Sequence, residues 1–235
     1  MAIYPDAQWH GPVPNQGGAM GQIRLGVVHI MSGSQAGTDS WFHNPSAQVS
    51  AHFGIAKDGT VFQWVDTNTI AWAEANYNGE AISIEHEGQS GEQLTFAQAV
   101  ALSKLMAWLW QTHQIPLART SDPNGHGWIG HGELGAAGGA HPNCPGQPIL
   151  DQLPTVLKAA WQIVFPPAPP APPAHRTLTP GMSGLDVCWV QKYLKVSVTG
   201  KFDDATSKAV IAFRVKNNLP AKAVVGPRVW TLMGE

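Results

Sequence analysis

Between Leu25 and Gly88 the hydrophobic positions come in short blocks bounded by turn residues, and their spacing is that of strands. Leu25-Gly26-Val27-Val28-His29-Ile30-Met31 is a largely apolar run closed by Ser-Gly-Ser, the pattern of a buried strand with Leu25, Val27, His29 and Met31 on one face. Residues 48–56 and 61–65 flank Lys57-Asp58-Gly59-Thr60, whose Asp-Gly pair suits the positive-φ turn of a hairpin. In residues 80–88, Ile82, Ile84 and His86 alternate with Ser83, Glu85 and Glu87, which predicts a strand that projects Glu85 from the face opposite the isoleucines. The period then becomes helical. Thr95 and Gln98 have the capping-box form, and Ala101, Leu102, Leu105, Trp108 and Leu109 recur at helical spacing to about Thr112. Trp128-Ile129-Gly130 reads as one more strand, ending at His131. A last helix is expected from Asp151, with Pro154 in its first turn and Val156, Leu157, Ala160, Trp161 and Val164 as its apolar stripe. Residues 1–22, rich in Pro, Gly and Asn, show no period and predict an irregular N-terminal wrap. Strands interleaved with helices make residues 1–164 an α/β domain, a mixed central sheet flanked by helices.

The pattern breaks at residues 165–175, a Pro/Ala-rich stretch that predicts a semi-rigid linker. Beyond it, residues 176–235 carry three short helical patterns. Val187, Val190, Gln191 and Leu194 form one stripe and Thr206, Ala209, Val210 and Phe213 the next, while Gly226-Pro227 opens a third with Trp230 and Leu232. So small a unit must share one core, which predicts a second, all-α three-helix domain.

Composition narrows the function classes. The 235 residues carry a formal charge of -2 and a pI near 6.5, so electrostatics supply no reason to expect nucleic acid or an anionic membrane as partner. No apolar run is long enough to span a bilayer, and the first ten residues lack the basic and apolar blocks of a secretory signal. The two cysteines, Cys144 and Cys188, read as free thiols or a metal ligand ahead of a disulfide. Cys188, within the first helical stripe of the second domain, reads as a small buried residue.

Chemistry concentrates in residues 130–146, a glycine-rich segment holding His131, His141 and Cys144. A catalytic zinc site takes three protein ligands and leaves a fourth position for water, so a His and a Cys here call for one more His from elsewhere. His126 competes with His131 as ligand, and His131 is preferred because it ends a strand whereas His126 lies in an Asn-Gly loop. His52 is expected to pack or hydrogen-bond within its strand, and the remaining histidines to be structural or exposed.

Several of these segments together resemble the zinc-dependent N-acetylmuramoyl-L-alanine amidases of the phage lysozyme and peptidoglycan-recognition type. Five elements occur in order: the strand ending at His29, Val49-Ser50-Ala51-His52-Phe53 with its Lys-Asp-Gly turn, Ile82-Ser83-Ile84-Glu85-His86-Glu87-Gly88, Ile129-Gly130-His131, and Cys144-Pro145-Gly146. The resemblance implies that His29, His131 and Cys144 hold one Zn2+ with an open water position. Two neutral imidazoles and a thiolate leave that centre about one net positive charge, so it acidifies its water less than three neutral ligands would and a separate base should help. Glu85 matches the glutamate that part of the family uses; it would act as that base, or alternatively hydrogen-bond a ligand histidine. Several relatives place a lysine two residues before the third ligand, where this chain has Pro142. His141 would stabilise the oxyanion in its stead, or be a turn histidine facing solvent. Ala51 stands near where some members carry a functional tyrosine.

The second domain resembles the three-helix peptidoglycan-binding module, through Leu185-Asp186-Val187 with Gln191 and Leu194, Thr199-Gly200-Lys201-Phe202 with Thr206 and Phe213, and Val225-Gly226-Pro227 with Trp230. Arg214 stands where that module usually has Gln. The resemblance implies hydrolysis of the bond between N-acetylmuramic acid and L-alanine in bacterial peptidoglycan, by a monomer without nucleic-acid or membrane partners. The arrangement looks like an endolysin, held in the host cytoplasm until released onto the wall. Two other readings are a wall-recognition protein without catalysis and an amidase with Cys144 as nucleophile.

Overall fold

A computed structural model describes residues 1–166 and 175–234; the expected linker lies mostly outside the described residues. The chain divides into two compact units, 1–166 and 167–235. Among the described residues no helix is long and apolar enough to cross a membrane.

The first unit contains, in chain order, β1 (Gln8–Trp9), β2 (Gln16–Ala19), β3 (Leu25–Val28), α1 (Gln35–Phe42), β4 (Phe53–Ile55), β5 (Val61–Gln63), β6 (Thr69–Ala71), β7 (Ala81–His86), α2 (Phe96–His113), β8 (Gly127–Gly130) and α3 (Gln147–Val164). Six strands form one mixed sheet in the order β1-β5-β4-β7-β3-β8. β4 and β5 are the antiparallel hairpin expected around Asp58-Gly59, while β4, β7, β3 and β8 run parallel. Each of those parallel steps needs a crossover, and the helices and loops that make them cover the sheet.

On one face α2 and α3 pack side by side, burying Leu102, Leu105, Met106 and Leu109 of the first and Ile149, Leu153, Val156, Leu157 and Ala160 of the second against Val28, Ile82 and Ile84. On the other, Leu25, Val27, Ala81 and Ile129 pack with Leu134. The alternation read in the sequence therefore sorts these strands between two cores. The capping box at Thr95 and Gln98 is formed in both directions.

Three expectations for this unit are corrected. The N-terminal segment is not wholly irregular: β1 pairs in parallel with β5, and β2 pairs antiparallel with β6 in a separate two-stranded sheet. α1 was not expected, because it buries only Gln35 and Phe42 and so shows no stripe; its start is fixed by the Ser34 hydroxyl, which accepts from the Gly37 N–H. α3 begins at Gln147, with Pro148 in the first turn and Pro154 inside the helix, and Trp161 lies 51% exposed, outside the stripe.

The second unit has α4 (Leu185–Tyr193), α5 (Asp204–Lys216) and α6 (Pro227–Leu232) around Leu178, Val187, Val190, Phe202, Val210, Val225, Val229 and Trp230. Leu232 is 41% exposed, and Met233 fills the core place expected of it. Gln191 is fully buried and fully used: the two hydrogens of its amide nitrogen are shared among Thr199 Oγ1, Thr206 Oγ1 and the Lys201 carbonyl, and its Oε1 accepts from the Gly200 N–H. Arg214 has a structural use, donating to the carbonyls of Pro220 and Val224. Cys188 is free and half-buried rather than fully buried.

Candidate functional site

Three adjacent parallel strands, β7, β3 and β8, deliver side chains at their carboxyl ends, the edge where open α/β sheets hold ligands. His29 follows β3 directly, held in sheet register by its N–H to the Ile84 carbonyl at 2.9 Å. His131 follows β8. Cys144 comes from the loop before α3, where the Ile30 N–H reaches its sulfur at 3.4 Å. One ligand atom from each of the three lies within 4.8 Å of the others, close enough for a single ion to reach all three.

The hydrogen bonds of the two rings decide which nitrogens face inward. His29 Nε2 lies 3.0 Å from Glu74 Oε1, and His131 Nε2 lies 2.8 Å from the Gly138 carbonyl. A carbonyl only accepts, so His131 carries its proton on Nε2; the Glu74 carboxylate asks the same of His29. Both rings then offer the Nδ1 lone pair, the state a metal needs. Burial lowers both imidazoles to about 3, so both stay neutral across the physiological range. Two neutral imidazoles and a sulfur, with second hydrogen bonds already in place, fit the donor set of a zinc site.

Glu85 does not hydrogen-bond His29. Its Oε1 is 3.8 Å from His29 Nδ1, the nitrogen turned to the ion position, and its Oε2 is buried without a partner. Burial, then the neighbouring Glu74, pushes the Glu85 carboxyl up to about 8; a divalent cation at the triad would pull it down again by favouring the carboxylate. Burial and the Glu85 charge push the Cys144 thiol up to about 12. That is the reverse of the depressed thiol of a cysteine nucleophile, whereas a metal deprotonates a coordinating thiol outright.

His141 is exposed, with its ring centroid 4.7 Å from that of His131. It joins His29, Glu85, His131 and Cys144 in lining a cavity of about 450 Å³ whose lining also includes Trp41, Val49 and Trp72. All five residues singled out in the sequence are thus gathered in one place. The turn that carries two of them is pinned by bonds from the Cys144 N–H to the His141 carbonyl and from the Gly132 N–H to the Cys144 carbonyl, at 3.0 and 2.6 Å. A Cβ on Gly132 would sit 2.7 Å from the His141 carbonyl oxygen, so only glycine lets the turn approach this closely.

The rival histidine stands apart: His126 lines a different cavity, with Arg24 and His113. His52 is fully buried and satisfied, its Nδ1 accepting from the Ser83 N–H at 3.1 Å and its Nε2 3.0 Å from the Thr69 carbonyl. His86 braces His29 from behind, with Nδ1 2.9 Å from the carbonyl of His29. One residue was missed. Glu74 lies in a polar loop after β6, where nothing in the sequence separates it from a solvated carboxylate.

Over 87 residues the chain is 42% identical to the N-acetylmuramoyl-L-alanine amidase A of Achromobacter lyticus, an alignment covering 37% of this chain and 49% of that protein. The chain thus spans about half the length of this curated relative. Among solved structures, the Staphylococcus aureus hydrolase AmiA in complex with its ligand aligns with a TM-score of 0.55 at 16% identity, over 70% of this chain and 86% of that one. A selenomethionine derivative of AmpD aligns with a TM-score of 0.50 at 21% identity, over 66% and 96%. These two share the fold. Residues 183–233 match a peptidoglycan binding domain family, within the three-helix unit. Residues 19–147, more than half of the chain and including His29, Glu85, His131 and Cys144, match the N-acetylmuramoyl-L-alanine amidase family, and the chain belongs to it.

Proposed function

We propose that the first unit is a zinc-dependent hydrolase of the amide bond between N-acetylmuramic acid and the L-alanine of the peptidoglycan stem, held to its polymer by the second unit. One observation carries this reading above the others. Two histidines whose Nε2 atoms are already engaged and one cysteine meet at the carboxyl ends of adjacent strands, with a carboxylate facing the same point.

His29, His131 and Cys144 would hold the ion. When bound, zinc polarises the scissile carbonyl and acidifies the attacking water. Glu85 accepts the proton of that water and passes it to the departing L-alanine amine, a transfer that needs only the one carboxylate beside the triad. His141, one residue before the Pro142 that stands where several relatives have a lysine, donates to the oxyanion. Trp41 and Trp72, which line the same cavity, offer apolar faces to the substrate.

A catalytic unit joined to a wall-binding unit raises the local concentration of the site at an insoluble polymer, and this is the arrangement of an endolysin. A raised Cys144 thiol weighs against the cysteine-nucleophile reading. The complete donor triad weighs against recognition without catalysis.

The test is chemical analysis of the purified protein and of digested peptidoglycan. We expect about one zinc per chain, loss of lysis on chelation with recovery on adding Zn2+, and free N-terminal L-alanine without new reducing sugar ends. A protein that contains no zinc and digests wall unchanged in a chelator would refute the proposal.

A further inference from the structure

We infer that Glu74 is a positioning residue for the metal, fixing His29 as an Nδ1 ligand from behind. The inference rests on the zinc reading above and adds a residue from outside the strands that carry the ligands.

Glu74 is 0% exposed. Its Oε1 lies 3.0 Å from His29 Nε2, and its Oε2 has no hydrogen-bond partner. Taking a carboxylate wholly out of water is costly unless a charge or a donor answers it. Here the imidazole N–H of His29 answers Oε1, so Glu74 works through His29 on the ion position. The chain builds a holder for it: Asn78 Oδ1 accepts from the backbone N–H groups of Ala73 and Glu74 at 3.0 and 2.5 Å, and the Glu74 carbonyl accepts from Tyr77 N–H at 3.0 Å. That loop fixes the carboxylate before any ion arrives. The bond selects the tautomer, sets the plane of the ring and makes Nδ1 a better donor. His131 receives its orientation from a backbone carbonyl, so Glu74 is the one carboxyl group that orients either ring.

The test uses the full chain and its E74Q and E74A variants, with Zn2+ affinity measured by competition against a chromophoric chelator. The visible spectrum of the Co2+-substituted protein and the melting of the metal-free forms are recorded alongside. Partners of this kind are worth about 10–100-fold in metal affinity. E74A should lose that much and change the Co2+ bands. E74Q keeps an acceptor oxygen for the ring N–H but not the charge, so it should fall between E74A and the parent. Affinity and Co2+ spectrum equal to the parent's in either variant would overturn the inference while leaving the zinc reading intact. A parent chain that takes up no Zn2+ would overturn both. If E74A fails to fold, E74Q decides, since it differs from the parent by one polar atom.

Discussion

Gly132→Ala probes how tightly the Cys144 turn is wedged against the segment that starts at His131. The added methyl would meet the carbonyl oxygens of His141 and Pro142 at 2.7 and 2.9 Å, both backbone atoms that cannot swing aside as a side-chain end would. Forcing a methyl into such a contact costs about 1–3 kcal/mol. Against this, replacing glycine stiffens the unfolded chain and returns about 0.4–1 kcal/mol. Taken at mid-range the steric term wins, for a net loss of about 1.3 kcal/mol. At about 2–4 °C per kcal/mol for a unit of this size, the catalytic unit should melt about 3–5 °C lower. The strain falls on the turn carrying Cys144, so Zn2+ affinity, read by chelator competition, should fall too. A G132A protein that keeps both the parental melting temperature and the parental affinity would show that the turn yields freely, and the wedge argument would be wrong.

Other consequences of the site and of the second unit can be measured directly. Cys144→Asp substitutes one metal ligand type for another, so zinc should still bind and part of the wall hydrolysis persist, whereas a nucleophilic Cys144 would leave none; metal analysis beside a turbidity assay separates the cases. Glu85→Gln should lower kcat by about 10²–10⁴-fold with about one zinc per chain retained, and an unchanged turnover would remove Glu85 from proton transfer. Gln191→Ala strips a buried amide of four hydrogen bonds and leaves the Gly200 N–H without its acceptor, which should cost the second unit about 1–3 kcal/mol in denaturant unfolding. If that unit unfolds at the parental midpoint, water or a rearranged loop satisfies those groups instead.

Much of this molecule was readable along the chain, and the parts that were share a cause. The hairpin at Asp58-Gly59, the two-faced β7, the capped α2 and the three helical stripes of the second unit are set by neighbours a few residues apart, so their periods survive in the sequence. His29, Glu85 and His131 stand at or just past the ends of such strands, and Cys144 stands just before a helix, in an order shared with a known family. What tertiary structure alone decided depends on partners far apart. Two-residue β1 is a strand only because β5 lies beside it, and α1 shows no apolar stripe because it buries just its two end residues. Glu74, 45 residues from His29, became a buried carboxylate when β6 and the loop closed by Asn78 carried it behind the ring. Local order is written in spacing; the tautomer of a ligand and the burial of a charge are properties of what the folded chain brings against them.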